Sequence, residues 1–192
     1  MIKRYINWID YYIDLKDKMK VDAIHIIDDG SDSQYIEDLK NHYEDFESIA
    51  TITSLHPHLG RPKHLLHYGW MRSFLYNYHI ATTYDYTCII HCESDFYIFN
   101  TDKLSHIESG WHMPYCDQYR FPEAGIQVIC NDQFPHLKEM YEKGYEILDG
   151  HMQVEDLFRF ASRLDMRGIR WESSSPFPQD MDYVGQITLS PQ

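Results

Sequence analysis

The chain has 192 residues, and 30 acidic side chains against 17 Lys plus Arg leave a formal charge of −13. Hydrophobic residues at 43% and charged residues at 24% match a globular chain and argue against global disorder. The acidic balance argues against a generic nucleic-acid or anionic-membrane binder, and no apolar run reaches the roughly 18 residues of a transmembrane helix.

Taken in order, Ile2, Tyr5, Ile6, Ile9, Tyr12 and Ile13 follow the helical period, so about the first 19 residues are expected to form an amphipathic helix. The N-terminus lacks the continuous apolar core of a signal peptide, and a cytoplasmic location is expected. Residues 21–27 are expected as a buried strand stopped by Asp28-Asp29-Gly30-Ser31-Asp32, residues 33–46 as a helix, and 48–53 as a short strand. The loop Leu55 to Pro62 precedes a long helix expected over 64–81. Residues 86–92 read as a strand ending at Glu93-Ser94-Asp95. Residues 125–130 read as another strand, 134–143 and 154–167 as helices, and 168–171 as a closing strand before an irregular tail at 173–192.

Alternating strands and helices predict a single α/β domain over 1–192 with a mainly parallel central sheet. In such sheets ligands bind beyond the carboxyl ends of the strands, where both acidic clusters fall. The cysteines are Cys88, Cys92, Cys116 and Cys130. Cys88 and Cys92 lie too close along one strand to pair with each other. The spacing does not suit a four-cysteine zinc site, and reduced, buried thiols are expected of a cytosolic chain.

Three segments could carry chemistry. Glu93 and Asp95 flank a small residue on a turn, where two carboxylates can share a hard divalent cation; a solvated turn is the plainer account. Asp28 and Asp29 open a turn that also suits a helix N-cap. Glu155 and Asp156 fall in the first turn of the helix expected at 154–167, where a carboxylate could serve as general base or simply complement the dipole. His56, His58, His64 and His67 have no regular metal-ligand spacing and are expected at the surface. Trp111, Tyr115, Tyr119 and Phe121 could stack on sugar rings or pack a core.

Together these segments resemble the family 2 glycosyltransferases of GT-A fold. The shared features are Ile-Ile-Asp-Asp-Gly-Ser, a later strand ending in Glu-Ser-Asp, and Glu-Asp followed by Arg-Leu and a Gly-Ile-Arg-Trp strand. The resemblance covers roughly residues 20–172. It implies a GT-A-like (Rossmann-like) domain with a nucleotide and metal half at about 20–100 and an acceptor and base half at about 101–172. By this similarity Asp29, with Asp28, Glu93 and Arg72, would bind the nucleotide. Asp95, with Glu93, would bind Mn²⁺ or Mg²⁺. Asp156 would be the catalytic base, with Glu155 as second choice. The donor would be a UDP- or GDP-sugar and the acceptor a glycan or lipid-linked hydroxyl, with inversion expected; no nucleic acid and no transmembrane segment are implied. The sequence departs from the family in opening directly at a helix, without the usual first apolar strand, and in placing Glu where the metal motif usually starts with Asp. A catalytically silent nucleotide-sugar-binding domain is the non-enzymatic alternative. A nucleotidyltransferase is the other enzyme class, although it would need a basic Gly-rich loop and only Gly60-Arg61 is present.

Overall fold

A computed structural model describes residues 2–61, 67–116, 120–149, 154–171 and 180–185. It is a mixed α/β structure. Helix α1 (Ile2–Met19) buries Ile9, Tyr12 and Met19 along one stripe, carries Lys16 and Lys18 in its last turn, and ends where Lys20 takes a positive φ of 55°. It leads into β1 (His25–Asp28), α2 (Ser33–His42), the one-turn α3 (Phe46–Ile49) and β2 (Thr51–Ser54). Asp32 caps α2 by accepting the Gln34 N–H at 2.9 Å. The helix expected to reach residue 46 stops at His42, because Tyr43 turns extended, packs on Phe46 and donates its hydroxyl to Asp10 of α1 at 2.9 Å.

Beyond the loop lie α4 (Tyr68–Leu75) and α5 (Asn77–Thr83), in place of one continuous helix. The break coincides with Asn77, whose amide donates to the Phe74 carbonyl at 2.8 Å and so competes with the helical ladder. The part of the expected helix at 64–66, with His64, lies outside the described residues. The chain continues through β3 (Cys88–Cys92), β4 (Tyr97–Ile98), β5 (Trp111–Cys116), β6 (Phe121–Pro122), β7 (Ile126–Cys130) and α6 (Phe134–Lys143). The last elements are a 3₁₀ turn at Val154–Phe158 and the strands β8 (Ser162–Leu164), β9 (Gly168–Arg170) and β10 (Tyr183–Gly185).

The sheets correct the expectation of a mainly parallel one. β1 and β2 pair in parallel. The larger sheet runs β3-β7-β5-β6 with antiparallel pairing throughout, and only β8 joins β5 in parallel. A third sheet orders β4-β10-β9, with β10 parallel to β9, so part of the tail read as irregular is a strand. The helix expected at 154–167 is also absent. After the 3₁₀ turn the chain extends, Ser162 to Leu164 pair with His112 to Pro114, and this long-range pairing overrides the helical period of Leu157, Phe160 and Leu164.

β7 lies at the centre, buried at every position. Ile126, Val128 and Cys130 face one apolar cluster with Ile9, Tyr12, Leu39 and Phe96, while Ile129 faces a second with Phe74, Trp111, Leu137 and Phe158. This is the two-residue alternation of a strand covered on both sides. Cys88 and Cys130, directly opposite on β3 and β7, form a disulfide, which corrects the expectation that both are free thiols. Among the described residues no helix is long and apolar enough to cross a membrane.

Candidate functional site

The turns leaving β1 and β3 open onto one cavity of about 310 Å³ whose lining includes Asp28, Asp29, Glu93 and Ser94, with Arg4 from α1 and Trp70 from α4. The two acidic clusters of the sequence therefore meet. In the first turn Asp28 is buried and accepts both the Ser31 N–H (2.7 Å) and the Ser31 hydroxyl (2.6 Å), while Gly30 supplies a φ of 77° that closes the bend. Asp29 accepts the N–H groups of Leu59 (3.1 Å) and Gly60 (2.7 Å) and is bonded to the Arg72 guanidinium, which also donates to the Leu55 carbonyl at 2.6 Å. His58 lies 3.2 Å from the same carboxylate and is largely exposed, as expected of a loop histidine. A Cβ on Gly69 would sit 2.0 Å from an Asp29 oxygen, so glycine there lets α4 approach the turn. Asp29 and Arg72 are thus brought together as expected, but as a brace between β1, the loop and α4. Most of the carboxylate's acceptor capacity is already used.

The second turn is held by the Glu93 N–H on Gly125 O (2.9 Å), the Phe96 N–H on Glu93 O (3.0 Å) and the Trp8 indole on the same oxygen (3.0 Å). Burial, reinforced by the charges of Asp95 and Glu123, pushes the Glu93 carboxyl up to about 8, against the pull of Arg170. Burial also raises Asp95, opposed by Arg4 and Arg170. Two neighbouring carboxylates whose ionisation is disfavoured are a donor set that a divalent cation would relieve. Mg²⁺ commonly takes only one or two carboxylates where phosphate oxygens and water complete its shell. Glu93 and Asp95 fit that pattern. Among the described residues no group of three or more His, Cys, Asp and Glu side chains is placed to hold an ion.

The same Arg170 organises a third group. It makes a bidentate pair with Glu123 (3.0 and 2.6 Å) and reaches Glu155 at 3.2 Å. Glu123 has no solvent exposure; burial raises its carboxyl and Arg170 holds that rise back. Burial disfavours the Arg170 charge, but the two glutamates outweigh it and raise the guanidinium above its ordinary value. Glu155 is therefore tied to the Arg170–Glu123 pair, whose charges also act on Glu93. Asp156 is bound instead by Arg159 of its own turn at 2.6 and 2.9 Å. Both sit on a 3₁₀ turn of five residues, so the helix-dipole argument for an ionised Asp156 does not hold.

Sequence reasoning gave Glu123 no role and Arg170 only a place in a strand. The available signal was a lone acid inside the apolar stretch Phe121 to Cys130, which demands a buried cation. Of the aromatic candidates, Trp111 is core, with its indole on Gln127 at 2.8 Å. Tyr115 lies under Arg163 and Phe121 under Arg170, while Tyr119 lies outside the described residues. No protein-family model matches the chain, and no curated protein matches it.

Proposed function

We propose that this chain is a glycosyltransferase that moves a sugar from a nucleoside-diphosphate donor to an acceptor hydroxyl with inversion, on a GT-A-like domain. The observation that carries this reading is the meeting of Asp28-Asp29 and Glu93-Ser94 around one cavity, with Arg170 acting on Glu93 and Asp95 while it holds Glu155. The parallel pair β1–β2 leading into the first turn supports the fold assignment, since ligands of α/β sheets lie beyond such strand ends.

In this mechanism the braced turn Asp28–Asp29 shapes the wall against which the nucleobase lies. Glu93 and Asp95 would hold Mn²⁺ or Mg²⁺, which when bound neutralises charge on the diphosphate and acts as a Lewis acid. Glu155, in place of Asp156, takes the proton from the acceptor hydroxyl as its oxygen attacks the anomeric carbon and the nucleoside diphosphate departs. Arg170 orients that carboxylate. Base catalysis of this kind is worth about 10²–10⁴-fold, or roughly 3–5 kcal/mol. The Cys88–Cys130 disulfide suits an oxidising compartment better than the expected cytoplasm.

A panel of UDP- and GDP-sugars with Mn²⁺, assayed for released nucleoside diphosphate and for sugar transfer, tests the proposal. Release from at least one donor that stops with chelator supports it. Tight donor binding with no release or transfer would favour the silent binding domain, a reading encouraged by the saturated Asp29 carboxylate.

A further inference from the structure

β1 and β3 each have one strand partner among the described residues, β2 and β7 respectively. Their other edges face a common opening made of two adjoining cavities of about 580 and 310 Å³. The first touches Ala23 to His25 and Tyr86 to Ile90; the second touches His25 to Asp29 and Ile90 to Ser94. The order of contacts shows that β1 and β3 run in the same direction along the opening.

Backbone alternation fixes which peptide groups face it. The carbonyls of Ile24 and Asp28 accept from Thr51 (3.0 Å) and Leu55 (2.8 Å), so even-numbered residues of β1 serve β2, and the peptide groups of His25 and Ile27 point the other way. On β3, Thr87 accepts from Asn131 (2.8 Å) and Glu93 donates to Gly125 (2.9 Å). Odd-numbered residues therefore serve β7, and the peptide groups of Cys88, Ile90 and Cys92 face the opening. These groups have no hydrogen-bond partner among the described residues. Burial agrees: β7, paired on both edges, is fully buried, whereas the equally apolar β3 is only half-buried at every position. Trp8, Tyr12 and Met19 of α1 and Asn77 and Ile80 of α5 line the same space.

We propose that the strand-lined part of this opening, from Ala23 to Ile27 on one side and Tyr86 to Cys92 on the other, takes up one extended, uncharged strand of about five residues from a partner polypeptide, parallel to β1 and β3, joining the two sheets and ending short of the Asp28–Asp29 and Glu93–Ser94 turns, which stay open to the donor. Two facing rows of unpaired peptide groups select a polypeptide backbone over a compact apolar ligand, which would fill the volume and leave them unsatisfied. Walls contributed by helices on both sides select β-branched side chains at every position, as in a parallel strand covered on both faces. The inference rests on backbone pairing and not on the transferase reading.

Hydrogen exchange resolved to single amides, on the full chain, tests it. The probe is acetyl-Lys-Lys-Thr-Val-Ile-Val-Ile-Thr-amide, and the control is the same peptide with alternate residues N-methylated. In the protein alone, the amides of His25, Ile27, Cys88, Ile90 and Cys92 should exchange faster than those of Ile26, Asp28, Ile89 and His91. With probe at ten times its dissociation constant the first set should slow about tenfold, and the control should leave it unchanged. Equal protection of both sets without peptide would overturn the proposal. So would absence of probe binding at millimolar concentration, or binding that leaves the first set fast.

Discussion

Replacing Arg170 by Met keeps an unbranched apolar side chain and removes the guanidinium that lies over Phe121 and holds Glu123 and Glu155. Glu123 has no exposed surface, so its carboxylate cannot turn to water for compensation. Breaking a buried pair in this way costs about 3–5 kcal/mol; at a urea m-value of about 2 kcal/mol/M that is a midpoint lower by roughly 1.5–2.5 M. The loss should depend on pH. Burial already raises the Glu123 carboxyl, and without Arg170 it rises further above its unfolded value. A carboxyl raised in the folded state favours folding when protonated, so the loss is largest above the folded value and shrinks as pH falls toward the unfolded value. Urea titrations at pH 8 and pH 5 should show a smaller deficit at pH 5. The double variant Arg170→Met/Glu123→Gln should recover at least half of the deficit at pH 8. A deficit equal at both pH values and untouched by Glu123→Gln would refute the reasoning and reduce Arg170 to a packing residue.

Three further outcomes follow from the same geometry. Glu155→Gln should lower sugar transfer by about two to four decades while donor binding persists, and Asp156→Asn should change it by less than threefold, since Asp156 is turned toward Arg159; the reverse order would restore Asp156 as the base. With chelator present, melting temperature should fall as pH rises from the ordinary carboxylate range toward about 8, where Glu93 ionises against burial, and Glu93→Gln should flatten that slope. Replacing both Cys88 and Cys130 by Ser should lower stability by about 4 kcal/mol in the chain-entropy account of a 42-residue separation, read from urea midpoints.

The elements that declare themselves by local period were legible in the sequence. α1 with its Ile9–Tyr12 stripe, β3, β7 and α6 fall within a few residues of where their patterns put them. What failed depended on distant partners. Ser162 to Leu164 carry part of a helical pattern yet pair with β5, and β5 itself was hidden by Pro114, a residue that argues against a strand interior and here pairs with Leu164 of β8. The Cys88–Cys130 bridge required the β3–β7 register, which no spacing along the chain discloses. In the site, the position of Glu93 and Asp95 at a strand end was readable, because acidic residues after an apolar run mark a turn. That Arg170 would gather Glu123 and Glu155 was not, because the three come from β9, the β6–β7 connection and a 3₁₀ turn. The brace formed by Asp29 and Arg72 likewise exists only because Gly69 lets α4 close on the turn.

Calorimetric titration of UDP and of GDP into the protein, with Mn²⁺ and with chelator, tests the central claim most directly. The proposal predicts that one of the two binds with Mn²⁺, that chelator weakens binding at least tenfold, and that Asp95→Asn weakens it similarly while the melting temperature is held. Failure of both nucleotides to bind with Mn²⁺, or binding indifferent to metal and to Asp95, would contradict the assignment of this cavity to a nucleoside-diphosphate donor.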